Sequence, residues 1–179
     1  MRSKKFIVAI VSLCSMFMLS GLVGTIRAAS SASSISGFMI LNKEKIKLSY
    51  AYVDLANPEE PIVVMSDKPL PGDDLFAVLT DSYIRQKKLH AIVITISRSE
   101  KKLTEGINFI YFPGKQTHFI ALGDKGILNL TKLDKDVISG TYKTPKPIAD
   151  DYNGVTVSFD ASFKVSTTGK SAELPLKKK

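Results

Sequence analysis

The chain has 179 residues, with 25 Lys and Arg against 17 Asp and Glu, a formal charge of +8, one cysteine and no tryptophan. The excess charge lies at the two ends, on Arg2, Lys4, Lys5 and Arg27 and on Lys170, Lys177, Lys178 and Lys179. The middle of the chain is nearly neutral, and its Lys87, Lys88, Lys101 and Lys102 are dispersed pairs. A face that releases counterions from a phosphate backbone needs clustered Lys or Arg, so nucleic acid is not an expected partner.

Residues 1–30 read as a secretory signal: a basic start, an apolar run over 6–19, then the small residues Ala28, Ala29 and Ser30. Cleavage after Ser30 or after Ala32 satisfies the small-residue requirement. The rival is a retained anchor over 6–26, just long enough to cross a bilayer. The only cysteine, Cys14, lies inside the apolar run behind Leu13, which is too large for a lipoprotein signal. After cleavage the chain has no disulfide, no cysteine nucleophile and no thiolate metal site. An ordinary core must hold it, and about 150 residues suffice for one.

Residues 31–36, rich in serine and alanine, read as a flexible leader, and 37–166 as a single β-rich domain. Strands are expected over 38–41 and 45–55, joined at Asn42, Lys43 and Glu44 as a hairpin. In the second run Ile46, Leu48, Tyr50 and Tyr52 recur at period two opposite Lys45, Lys47 and Ser49, which places the four on one face. Pro58 and Pro61 end that run, 62–65 forms a short apolar strand, and Pro69, Pro71 and Gly72 break the chain again. A helix is expected over about 73–87, with Leu75, Phe76, Leu79, Tyr83 and Ile84 on one side. Asp73 and Asp74 at its start and Arg85, Lys87 and Lys88 at its end complement the helix dipole.

Strands then follow over 89–97, 107–112, 118–122, 127–133, 137–143 and 155–165. Pro113-Gly114 and Asn153-Gly154 mark turns between them. In the last run Val155, Val157, Phe159, Ala161, Phe163 and Val165 alternate with polar residues. The fold class is therefore mainly β: an antiparallel sandwich or closed barrel of about nine strands with one inserted helix. Residues 167–179 read as a basic disordered tail.

Three stretches, Ile62-Val63-Val64-Met65-Ser66-Asp67-Lys68-Pro69-Leu70-Pro71, Leu89-His90-Ala91-Ile92 and Val137-Ile138-Ser139-Gly140-Thr141, precede the strand over 157–163. Together they resemble a set of uncharacterised secreted bacterial β-rich domains over most of 37–166. The resemblance implies one exported domain and brings no catalytic residue with it.

Motifs of chemistry dissolve on inspection. The only histidines, His90 and His118, each sit on an expected strand with parity toward the apolar side. A metal would need a third ligand, and a core or edge histidine with one hydrogen bond is the plainer reading. Ser99 and Lys102 have Ser-x-x-Lys spacing but fall in an expected turn without companion motifs. Thr168-Gly169-Lys170-Ser171 resembles the end of a phosphate loop, yet Lys164 stands where its first glycine belongs. Asp151, Asn153, Gly154 and Asp160 fit places of a calcium loop, but Ala149 takes the first place, and an Asx-type turn accounts for them. The pairs Asp73 with Asp74 and Asp134 with Asp136 are explained by dipole and turn chemistry. No metal or cofactor is expected.

Aromatics remain: Tyr50, Tyr52, Tyr111 and Tyr142 are the candidate ligand-binding residues, on strands that could line a cleft. The expected function is an exported, non-enzymatic binding or interaction module of the periplasm, cell envelope or medium. It would engage a protein or envelope component through sheet edges or loops, with Lys177, Lys178 and Lys179 touching anionic surfaces. The rival is a carrier of a small apolar or carbohydrate ligand inside the β fold. A cavity of several hundred Å³ favours the carrier, and a filled core favours the module. A hydrolase using His90 or His118 is a third, weaker reading.

Overall fold

The computed structural model describes residues 33–71, 79–104, 108–114, 119–123 and 125–167. The signal, residues 73–78 of the expected helix, His118, the phosphate-loop resemblance and the lysine tail lie outside them. The elements are β1 (Ser34–Leu41), β2 (Glu44–Lys47), β3 (Tyr50–Asp54), β4 (Ile62–Ser66), α1 (Asp81–Lys87), β5 (Ala91–Ser97), β6 (Lys102–Leu103), β7 (Phe109–Tyr111), β8 (Phe119–Ala121), β9 (Ile127–Leu133), β10 (Val137–Lys143), β11 (Ile148–Asp150) and β12 (Val155–Ser166).

Two antiparallel sheets face each other. The first runs β2-β1-β12-β10-β9 with β11 beside β12, and the second runs β3-β4-β5-β7-β8 with β6 beside β5. The result is a sandwich and not a closed barrel. Among the described residues there are twelve strands where nine are expected, because the 45–55 run divides and because β6 and β11 form from short segments that read as turns. Among the described residues, strand structure begins at Ser34, inside the serine-rich stretch. It is followed at the far end by Thr167, whose amide donates to the Asp136 carbonyl at 2.9 Å.

β12 is the first sheet's central strand. Val157, Phe159, Ala161, Phe163 and Val165 point inward and are buried, while Asp160, Ser162 and Lys164 between them are exposed. β1 crosses it in register, Gly37 opposite Ala161. A Cβ at Gly37 would stand 2.3 Å from the Asp160 carbonyl oxygen, so glycine is what lets the two backbones approach there. Asn42 and Lys43 turn β1 into β2 with φ of 49° and 75°, the left-handed pair that a two-residue hairpin requires.

Leu48 and Ser49 form the corner between the sheets. The Leu48 amide donates to the Gly37 carbonyl at 3.1 Å in the first sheet, and the Ser49 amide to the Ser66 carbonyl at 2.8 Å in the second. The corner resets the alternation. Ile46 and Leu48 join Ala51 and Val53 in the inter-sheet core, whereas Tyr50 and Tyr52 turn to the second sheet's outer face. The expected single face for Ile46, Leu48, Tyr50 and Tyr52 is therefore split.

β4 and β5 are covered on both sides. Val63, Met65, Ile92, Ile94 and Ile96 meet the first sheet, and Val64, Ala91 and Val93 lie beneath Leu70, Leu79, Ile84 and Leu89. Their unbroken apolar runs follow from this double burial. Within the described residues the helix in this outer layer begins at Asp81. Thr80 is extended (φ −80°, ψ 155°) and caps α1, its Oγ1 accepting from the Tyr83 amide at 3.4 Å. A seven-residue helix is not stable alone; α1 is held by Ile84, fully buried, which contributes about 1.5–3 kcal/mol of apolar burial. At its far end Lys88 takes a left-handed conformation, and Lys68 Nζ donates to the carbonyls of Lys87 and Lys88, a cation placed on the negative end of the helix dipole.

Candidate functional site

Strand pairing decides which backbone groups look outward. In the second sheet β8 is the last strand among the described residues. The Leu122 amide donates to the Asn108 carbonyl at 2.7 Å, so the antiparallel alternation turns Ile120 toward β7 and the amide and carbonyl of Ala121 away from it. In the first sheet Asn42 holds Thr156 on both sides, donating from its amide to the Thr156 carbonyl at 2.9 Å and accepting the Thr156 amide on Oδ1 at 2.8 Å. β12 must therefore meet β11 through Val155 and Val157, which leaves the amide and carbonyl of Ala149 directed away from the sheet.

Ala121 and Ala149 border the same open groove, of about 340 Å³, with Phe119 and Lys125 on the β8 side and Asp151 and Tyr152 on the β11 side. A second depression of about 300 Å³, lined by Pro145, Lys146 and Pro147, adjoins it through Lys125 and Ala149. Two large apolar side chains are presented here, Phe119 at 40% exposure and Tyr152 at 69%. Phe119 is packed from behind, and Tyr152 is fixed through its backbone. Phe119 packs edge-on against Phe109, with centroids 5.6 Å apart at 88°, and lies 6.0 Å from Tyr111. Tyr152 sits on an Asx turn in which Asp150 Oδ1 accepts the Tyr152 amide at 3.0 Å and Oδ2 accepts Asn153 Nδ2 at 2.7 Å. The calcium-loop spacing thus resolves into a turn built by Asp150. Asp160, in its twelfth place, lies on β12 opposite Phe38 and Lys143.

The four candidate tyrosines do not converge. Tyr50, Tyr52 and Tyr111 share the second sheet's outer face, where Tyr50, Ser66, Ala91 and Tyr111 form one row across β3, β4, β5 and β7. At the usual strand spacing Tyr50 and Tyr111 are about 14 Å apart. Tyr52 Oη accepts the Leu70 amide at 3.0 Å, and burial raises the pKa of both Tyr52 and Tyr111. Tyr142 belongs to the first sheet and points the other way, into the inter-sheet core. It is fully buried with its ring 4.8 Å from that of Phe159. Its hydroxyl has no hydrogen-bond partner among the described residues, and burial drives its pKa far up.

His90 is tied to Asp67. Its Nδ1 lies 3.0 Å from Asp67 Oδ2, its amide donates to Asp67 Oδ1 at 2.8 Å, and the Asp67 amide donates to the His90 carbonyl at 3.1 Å. The sequence reading anticipated a hydrogen-bonded histidine but not its partner, since only the β4–β5 pairing brings the two together. The Ser99–Lys102 spacing falls on the β5–β6 turn, where Ser99 Oγ pairs with Ser97 Oγ at 3.1 Å and Lys102 with Glu100 at 2.9 Å. The one-turn helical geometry of an acyl-enzyme motif is absent there. Asp134 Oδ1 caps its turn by accepting the amides of Asp136 and Val137 at 2.9 and 2.7 Å.

Among known proteins, no family model and no curated protein matches the chain.

Proposed function

We propose that the chain is an exported, non-enzymatic binding module that takes an extended segment of a partner protein into the groove between β8 and β11. The observation that carries this reading is the placement of the outward backbone groups of Ala121 and Ala149 on the two walls of one groove, beside exposed Phe119 and Tyr152. An entering strand finds main-chain partners for affinity and ring surfaces for selection. Export rests on the character of residues 1–30. The interior supports the module over the carrier. A ligand between the sheets would have to displace Met39, Tyr142, Phe159 and Phe163, each no more than 3% exposed. Photo-crosslinking in the host tests this reading, with a benzophenone amino acid placed at Tyr152 or, as control, at Ser158 on the opposite sheet face. A discrete protein adduct from position 152 alone is expected; equal labelling from both, or none from 152, overturns it.

A further inference from the structure

The outer face of the first sheet gathers charge that is scattered in sequence. Strand alternation puts Lys45 and Lys47 of β2, Lys143 of β10 and Lys164 of β12 on this one surface, all exposed; among the described strand residues Asp160 is the carboxylate with the same parity, while Glu44 of β2 and Asp150 of β11 have the opposite one. Lys132 also faces out, but its ammonium is matched by Asp134 at 2.9 Å. A nearly neutral domain thus carries a net positive sheet face about 19 Å across, from five strands at the usual spacing.

Between these lysines the surface is hydroxyl-bearing. Ser34, Ser162 and Thr141 line a depression of about 290 Å³ with Lys164 beside them, and Thr131 and Ser139 share a hydrogen bond at 2.9 Å on the same side. The one ring on the face, Phe38, is half-buried and covered by Lys45, whose Nζ stands 4.1 Å above its centroid. Stacking on nucleobases needs exposed rings, which this face does not offer. Short hydroxyls among dispersed ammonium groups instead match sugar hydroxyls among dispersed carboxylates.

We infer that the outer face of the first sheet binds an anionic polysaccharide, with Lys143 and Lys164 as its principal charge contacts and the serine and threonine hydroxyls between them as sugar contacts. The surface is separate from the groove, so the protein could hold a glycan and a protein partner together. Exposed charge pairs of this kind are weak singly, and they weaken further with salt.

The test is binding of the full exported chain to polygalacturonate at low ionic strength, with neutral dextran and single-stranded DNA as comparison probes. Expected are salt-sensitive binding to polygalacturonate, none to dextran, weaker binding to DNA, and about a tenfold loss of affinity in the double variant Lys143→Gln with Lys164→Gln. The triple variant Lys177→Gln, Lys178→Gln, Lys179→Gln should retain most of the binding. Unchanged affinity in the double variant, loss in the triple variant alone, tighter binding to DNA, or no binding to polygalacturonate would each overturn the inference.

Discussion

Asp67 holds His90 through both carboxylate oxygens, one on the imidazole at 3.0 Å and one on the backbone amide at 2.8 Å. Asp67 directly follows β4 and His90 directly precedes β5, so the contact closes that strand pair just where the chain leaves for α1. Both side chains are largely shielded, at 14% and 12% exposure. Replacing Asp67 with Ala leaves an amide and a ring nitrogen without their acceptor. A loss of about 1–3 kcal/mol is expected, read from urea unfolding midpoints. His90→Asn should cost less, because the amide contact survives.

Tyr142 and Gly126 are matched in the core. A Cβ at Gly126 would stand 2.2 Å from Tyr142 Oη, so Gly126→Ala is expected to destabilise by about 1–3 kcal/mol through overpacking. Tyr142→Phe removes a buried hydroxyl that has no partner among the described residues and should be neutral or stabilising. Because burial raises its pKa, Tyr142 favours the folded state below the ordinary tyrosine value of 10.0. That contribution fades as pH rises beyond it, since only the unfolded chain then ionises the phenol. Thermal melts of both variants, and of the parent between neutral and alkaline pH, check these outcomes.

The Asp134 carboxyl is lowered to about 2 by its bond from Lys132 and by the amides of Asp136 and Val137. A depressed folded value means stability that is present above the ordinary carboxylate range and lost as pH falls toward about 2. Carboxyl chemical shifts followed through an acid titration should place Asp134 at the low end of the carboxylates. Lys132→Gln should move it upward.

How far the sequence reveals this architecture depends on whether a feature is local. The alternation along β12 and the Asn42-Lys43 hairpin are local patterns, and both stand in the structure. Alternation alone puts Tyr50 and Tyr52 on the face of Ile46, because it cannot show the corner at Leu48 and Ser49, where consecutive amides bond to different sheets. The continuous apolar runs of β4 and β5 do not tell an inner face from an outer one, since both faces are covered, so parity places His90 with Ile92 and Ile94 without saying what those residues face. The groove was out of reach because it depends on which strands lack neighbours. The lysine face is likewise hidden, as Lys47, Lys143 and Lys164 come onto one face only through the pairing of β2 with β1 and of β1 and β10 with β12. Asp150, the residue that builds the turn under Tyr152, carries a local Asx signal of the same kind as its neighbours Asp151 and Asn153, and only the structure singles it out.

Proline substitution at β8 tests strand addition most directly. The Ala121 amide points away from β7 and into the groove, so Ala121→Pro removes a donor from the docking edge without breaking a ladder bond. Ile120→Pro, one residue earlier, would break the β7 pairing and serves as the control for a damaged fold. Strand addition at this edge requires that Ala121→Pro keep a melting temperature near that of the parent while the crosslinked adduct from position 152 disappears. A well-folded Ala121→Pro protein that still forms the adduct in full would contradict it.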